Sequence, residues 1–180
     1  MKIIAICGLP GSGKSTAIEA IKDFGIVVSM GDIVRNEAKK KNIAPTGKNL
    51  GKIAKNLREK NGAGIIAQKC LSIIEKLKED VIFVDGIRSL DEVNIFRKHW
   101  KFPIIAIIVD EKKRLKWLVE RARSDDPKNF KEIEERDRRE LKFGLDDILK
   151  NADYELVNDS TIENLKQKTK ELILNILEDF

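Results

Sequence analysis

The sequence predicts an α/β fold of three layers, in which a central parallel five-stranded sheet lies between two layers of helices. Five short segments have the apolar composition of buried strands: residues 3–7, 26–28, 81–84, 104–109 and 154–157. The stretches between them carry apolar residues mostly at helical spacing. Because strands that alternate with helices build parallel sheets covered on both faces, this order indicates the α/β class. The length of 180 residues predicts a single domain.

A glycine-rich motif directly follows the first strand. It reads Gly8-Leu9-Pro10-Gly11-Ser12-Gly13-Lys14-Ser15-Thr16, which fits the P-loop pattern G-x-x-x-x-G-K-[ST], and a helix is predicted over residues 14–24. The glycines let backbone N–H groups converge on an anion, and the following helix adds its dipole. In such a site Lys14 reaches the β- and γ-phosphates and the Ser15 hydroxyl binds Mg²⁺. The motif therefore predicts a nucleoside triphosphate site, and we expect ATP and Mg²⁺.

Composition and charge bear on the cellular setting. Lysine and arginine number 35 against 30 acidic residues, a net charge of +5 spread along the chain. Anionic nucleotides account for this mild excess, so no nucleic-acid partner is expected. Cys7 and Cys70 lie in apolar surroundings without C-x-x-C spacing, which favours a reducing compartment. No signal peptide or membrane span is recognisable, so the prediction is a cytoplasmic protein, monomeric or homodimeric.

A long stretch separates the second and third predicted strands. Residues 31–80 exceed what a strand–helix–strand crossover needs, and their helical periodicity is interrupted near residues 45–47 and 62–64. We expect a small helical insert here that binds the second substrate.

Two arginine-containing motifs follow strands two and three. They are Gly31-Asp32-Ile33-Val34-Arg35 and Asp85-Gly86-Ile87-Arg88. Ligands of open α/β sheets bind at the carboxyl ends of the strands, so both motifs are expected at one mouth. Arg35 and Arg88 would hold a second phosphate there, and Asp85 would hold the Mg²⁺. The alternative is that each arginine pairs with a neighbouring aspartate and has a structural role only.

These motifs resemble those of the nucleoside-monophosphate kinases. The first resembles the Gly-Asp-hydrophobic-hydrophobic-Arg motif of adenylate kinases, whose arginine binds the acceptor phosphate. The second is similar to their Asp-Gly-Phe-Pro-Arg motif, but it lacks the proline and is one residue shorter. The segment Ala152-Asp153-Tyr154-Glu155-Leu156-Val157-Asn158 resembles the tail of dephospho-coenzyme A kinases, which implies that Asn158 contacts the nucleotide. The whole chain is most similar to an archaeal group described as adenylate-kinase-related or dephospho-CoA-kinase-like.

The charged segment at residues 121–139 is predicted to be a short arginine-rich lid that buries little. Its candidates for closing over the transferring phosphoryl group are Arg121, Arg123, Arg136 and Arg139, with Arg121 first. A solvated helix face explains some of these arginines equally well.

The sequence thus predicts a small P-loop kinase that transfers the γ-phosphoryl group of ATP to a phosphate-bearing acceptor, with AMP the first to test. Lys14, Arg88 and Arg121 are predicted to stabilise the transferring charge, and Asp32 belongs with Arg35 and Arg88 in the acceptor site. If the acceptor is a hydroxyl, as in dephospho-CoA, Asp32 is the predicted general base. A regulatory ATPase or nucleotide switch is the alternative of another class; a GTPase is disfavoured because no Asn-Lys-x-Asp motif occurs.

Glu92 allows two interpretations. It follows Arg88 at the spacing where adenylate kinases carry a glutamine that reads adenine. However, Ser89-Leu90-Asp91-Glu92 is also an S-x-x-E capping box, in which Glu92 accepts the backbone N–H of Ser89. We favour the cap, and therefore predict that the acceptor base is selected elsewhere and that Glu92→Gln costs little stability.

Overall fold

The computed structural model describes residues 1–121 and 129–180, except for the side chain of Arg121. The predicted lid residues Arg121 and Arg123 therefore lie outside the described side chains. Its strands are β1 (Lys2–Cys7), β2 (Ile26–Ser29), β3 (Val81–Asp85), β4 (Ile104–Ile108) and β5 (Tyr154–Val157).

The helices lie in the chain segments that connect and follow these strands. They are α1 (Lys14–Ile21), α2 (Met30–Lys40), α3 (Gly47–Asn61), α4 (Ile65–Ile74), α5 (Leu90–Arg97), α6 (Glu111–Arg121), α7 (Phe130–Lys142), α8 (Leu145–Lys150) and α9 (Ile162–Glu178). Helices α2, α3 and α4 form the insert between β2 and β3, where the sequence predicts one. The first helix ends at Ile21, earlier than the predicted residue 24.

The five strands lie in the order β2-β3-β1-β4-β5, and every neighbouring pair is parallel. The predicted α/β class with a central parallel sheet is confirmed. In β1, Ile3, Ala5 and Cys7 face one core cluster, whereas Ile4 and Ile6 face the other. This alternation buries both faces of the sheet, which is why the strand is apolar at consecutive positions.

Each face of the sheet is covered by its own helices. Helices α1 and α9 pack together and supply Ala17, Ile21, Leu165 and Ile173 to one cluster. The insert helices with α5 and α8 cover the opposite face, where Phe96 stacks on Phe102 at 4.6 Å between ring centroids. Within residues 1–121 and 129–180, no helix combines the length and hydropathy that crossing a bilayer requires.

In its described half, residues 129–139, the charged segment buries Ile133 and leaves the other residues exposed or half-buried, which agrees with the expectation that it buries little. Residues 130–142 form α7, in which Ile133 is fully buried and Glu140 is only 4% exposed. Helix α7 carries few apolar residues and forms buried ion pairs with the core instead, so apolar periodicity gives little sign of it. Helix α2 likewise begins at Met30, directly after β2, so the motif at residues 31–35 lies in its first turns.

Candidate functional site

The glycine-rich loop lies at the carboxyl end of the central strand. Strand β1 has β3 on one side and β4 on the other, which makes this edge the switch point where α/β sheets bind ligands. Gly13 has φ of 106°, and a Cβ there would lie 2.5 Å from Asn158 Nδ2. A Cβ on Gly11 would lie 2.5 Å from Leu118 Cγ. The loop therefore requires glycine at both positions, for conformation and for space.

The Lys14 ammonium is held above this loop. Its Nζ donates to the carbonyl oxygens of Gly8 (2.6 Å) and Leu9 (3.1 Å). Burial lowers the pKa of Lys14, while the nearby carboxylates of Asp85 and Glu140 act in the opposite direction and the Arg88 guanidinium lowers it further. These charges therefore lie close enough to act on one another.

Asp85 fits the predicted cation site. It ends β3 beside the loop, and its buried Oδ1 accepts no hydrogen bond from the described part of the chain. Mg²⁺ prefers oxygen ligands and commonly binds through one or two protein groups plus phosphate oxygens. A buried carboxylate oxygen lacking a donor, together with the Ser15 hydroxyl at the start of α1, is a donor set suited to this ion.

A cavity of about 360 Å³ opens beside the loop. Its wall includes Gly13 and Thr16 from the loop and α1, Trp117 from α6, Asn158 after β5 and Ile162 from α9. This mixed apolar and polar slot suits a nucleotide base. Sequence reasoning missed Trp117, although an aromatic residue among the charges of α6 was the available signal.

Asn158 lies at this cavity but has a second role. Its backbone N–H donates to Ile108 O (2.7 Å), and its side-chain Nδ2 donates to Ser12 O (2.9 Å). Asn158 is therefore buried and fixes the loop to the end of the sheet. Asn158 thus lies beside the glycine-rich loop, and its contact with a nucleotide remains a prediction.

A second, smaller cavity of about 60 Å³ brings together the predicted acceptor arginines. Arg35 from α2 and Arg88 after β3 line it, with Arg136 and Arg139 from α7. The guanidinium of Arg139 packs on the backbone of Gly51 in α3, where a Cβ would lie 2.7 Å from its Cζ. Four arginines from three parts of the chain thus converge on one space, as an anion site requires.

Asp32 is not among the residues that line either of these cavities in the described structure. Its carboxylate pairs with Arg35 in the same helix, at 2.8 Å from Nη2, with exposed fractions of 61% for Asp32 and 46% for Arg35. The structural alternative therefore holds for this contact. Because exposed pairs contribute little free energy, the pairing does not prevent Arg35 from binding an anion. The position of Asp32 lends no support to its predicted role as a general base.

Arg88 pairs with a distant carboxylate rather than a neighbouring aspartate. Its Nε lies 2.6 Å from Glu140 Oε2 of α7. A second buried pair joins the same helix to α6: Arg114, 3% exposed, binds both oxygens of Asp137 and donates to Pro10 O in the loop (3.0 Å). Sequence reasoning missed both pairs because their members lie 23 or more positions apart.

Glu92 is fully buried, and only half of the predicted capping box is formed. Ser89 Oγ accepts the Glu92 N–H (3.3 Å), but the Glu92 carboxylate accepts the N–H of Arg88 (2.8 Å) rather than that of Ser89. Its other oxygen lies 2.6 Å from Arg58 Nη2 of α3. Both oxygens are therefore engaged within the protein.

The sheet order, the loop and its lysine define a P-loop protein of the nucleotide kinase-like class. Residues 7–134 match the family described as AAA domain. A UPF0200 protein of Hyperthermus butylicus is 40% identical over 172 residues, which cover 95% of this chain and 92% of that protein. The chain belongs to the UPF0200 family, and its predicted resemblance to P-loop nucleotide kinases is confirmed.

Solved structures share this fold. TT1252 from Thermus thermophilus superposes with a TM-score of 0.65 at 17% identity, covering 97% of each chain. A shikimate kinase from Acinetobacter baumannii in complex with shikimate gives a TM-score of 0.61 at 13% identity, covering 99% of this chain and 94% of that one. At these identities the likeness concerns the fold alone.

Proposed function

We propose that this protein is an ATP-dependent phosphotransferase that transfers the γ-phosphoryl group to a small phosphate-bearing acceptor, with AMP the first candidate. One observation carries the proposal: the phosphate loop and the arginine-lined cavity adjoin, because Arg114 binds both Pro10 of the loop and Asp137 of α7, the helix that lines this cavity. Hydrolysis alone needs one anion site, whereas transfer between two phosphates needs two neighbouring ones.

In this proposal each side binds one substrate. The loop N–H groups and Lys14 bind the donor phosphates, while Ser15 and Asp85 hold Mg²⁺, which neutralises charge on the phosphate oxygens when bound. Arg35 and Arg88 position the acceptor, and Arg136 and Arg139 stabilise the transferring charge. Arg121, whose side chain lies outside the described structure, remains a predicted lid residue. A phosphate acceptor is already ionised and needs no base, which agrees with the exposed position of Asp32.

An acceptor screen tests this function. Release of ADP from ATP and Mg²⁺ should be slow for the protein alone and become stoichiometric with phosphorylated product when the right acceptor is added. The screen should include the nucleoside monophosphates and dephospho-CoA. Slow hydrolysis that no acceptor accelerates would favour the regulatory ATPase instead, and a phosphorylated dephospho-CoA would identify a hydroxyl acceptor.

Separate affinities for donor and acceptor give a sharper test at Arg35. Arg35→Ala should weaken acceptor binding by about 2 kcal/mol, because a phosphate loses a charged donor, and leave ATP affinity nearly unchanged. Calorimetric titration of each ligand measures both. Lys39→Ala removes an exposed cation from the same helix and serves as the control. An equal loss for ATP and acceptor would contradict the assignment of two sites.

A further inference from the structure

The acceptor cavity contains a carboxylate of its own. Glu140 lies among the four arginines, 4% exposed, with Oε2 2.6 Å from Arg88 Nε. It comes from α7, the same helix that supplies Arg136 and Arg139. A buried carboxylate at an anion site is unexpected, since it opposes any anion that approaches the same guanidinium.

The contact between Glu140 and Arg88 resembles the contact that a bound anion makes with an arginine. A carboxylate on a guanidinium nitrogen at 2.6 Å is a charge-assisted hydrogen bond, the interaction an acceptor anion would make with Arg88. Burial strengthens this hydrogen bond. Leaving a buried arginine without its counter-charge is strongly unfavourable. A substrate anion that binds Arg88 must therefore replace Glu140 rather than join it.

We propose that Glu140 occupies the position on Arg88 that the acceptor phosphate takes, and so restricts acceptors to phosphate monoester dianions. An acceptor carboxylate would replace the carboxylate of Glu140 with another monoanion, so it would gain no binding free energy at Arg88. A phosphate carries roughly 1.5 to 2 negative charges near neutral pH, and its three oxygens can also bind the remaining arginines. This inference rests on the proposed function and names the class of its acceptor.

Helix α7 can tolerate this exchange because it has a second attachment. Asp137, one turn before Glu140, remains bound to Arg114 and through it to Pro10 of the loop. Ile133 anchors the preceding turn in the core. Release of Glu140 therefore leaves α7 docked, and Arg136 and Arg139 stay beside the cavity.

Binding measurements with the donor site filled test the proposal. With Mg²⁺ and a non-hydrolysable ATP analogue saturating, inorganic phosphate and AMP are titrated by calorimetry, and adenosine 5′-carboxylate serves as the monoanionic match of AMP. Glu140→Gln should tighten phosphate binding about tenfold, because the competitor on Arg88 loses its charge, and should admit the 5′-carboxylate. Glu134→Gln removes the same charge from an exposed position of α7, and it should alter neither the affinity for phosphate nor the exclusion of the 5′-carboxylate.

A coupling experiment separates this role from a structural one. In an Arg88→Ala background, Glu140→Gln should give no gain, because the contested guanidinium is gone. If Glu140→Gln does not fold, Glu140→Asp, whose shorter side chain retreats from Arg88, should show a smaller gain of the same sign. Unchanged or weaker phosphate binding overturns the proposal, as does lost turnover at unchanged affinity, which would indicate a general base. Failure of the ATP analogue to bind would instead count against the proposed function.

Discussion

Lys14 illustrates how much chemistry one residue of the loop carries. Its partly buried ammonium donates to two carbonyl oxygens of the loop, so its position is fixed by the backbone. It is not one of the hydrophobic residues that form the two core clusters. Its role should therefore be electrostatic and separable from folding.

Lys14→Ala should reduce phosphoryl transfer by at least about a hundredfold, comparable with removing one donor that stabilises a transition state. Single-turnover kinetics with the acceptor found in the screen measure the loss, and circular dichroism should show an unchanged fold. Lys22→Ala at the end of α1, where Lys22 pairs with Glu19 on the surface, is the control. Activity within a few-fold of the wild type would contradict the loop assignment.

Glu92 is a residue whose role changes once the fold is known. Since Arg58 and the Arg88 N–H take up its carboxylate, Glu92 has no oxygen left to read a base. The expectation that Glu92→Gln costs little stability is replaced by the opposite one. The change should lower the free energy of unfolding by about 3 kcal/mol, because it leaves the buried Arg58 without its counter-charge.

Urea denaturation measures this effect, with the exposed neighbour Asp91→Asn as the control. The ranking of AMP and GMP as acceptors should stay the same. A swapped preference without loss of stability would show that Glu92 reads the base after all.

At the level of single elements, α7 is the helix that connects the two candidate subsites. Its Asp137 reaches Arg114 and the donor loop, and its Glu140 reaches Arg88 at the acceptor cavity. Apart from Ile133, it buries few apolar side chains, and elements with few apolar contacts open readily. Its order should depend on the ligands at both ends.

Amide hydrogen exchange should therefore slow over residues 129–142 when a bisubstrate mimic fills both subsites. The ATP analogue alone should have a smaller effect. The amides of residues 170–178, at the C-terminal end of α9, line neither cavity and provide an internal reference. Exchange in α7 that is the same with and without the mimic would mean that the order of this helix does not depend on the ligands.

On the scale of the whole molecule, the sheet and its two helical layers bury both cysteines. Burial raises the pKa of Cys7 and of Cys70 from 9.0 to about 12. A thiol whose pKa is higher in the folded state favours folding below its unfolded pKa. The contribution of both thiols should therefore be complete below about pH 9 and disappear as the pH approaches 12.

Native protein at pH 8 should react with a thiol reagent only as fast as it opens, whereas the urea-unfolded protein should react at once. A reagent that releases a coloured product on reaction with a thiol allows the reaction rate to be measured by absorbance. Rapid reaction of either cysteine in the native state would contradict its burial.

The sequence was most informative where a function depends on local backbone. The loop at residues 8–16 and the strands around it could be predicted because glycine spacing and apolar runs are properties of neighbouring residues. Arg35 and Arg88 could be placed at one mouth because parallel strands end at the same edge. Helix α7 was not recognised, because its few apolar residues do not show the periodicity that marks a core element. Trp117 was not recognised as a site residue, because it lies among the charged residues of α6.

By itself the sequence determined the class of fold, the phosphate loop and the convergence of two arginines. Only the tertiary structure decided which carboxylates those arginines meet: Asp32 remains with Arg35 on the surface, while Glu140 reaches Arg88 in the interior. It also paired Glu92 with Arg58 and Asp137 with Arg114. The physical reason is that buried ion pairs join residues far apart in the chain, and their geometry is fixed by how helices pack on the sheet.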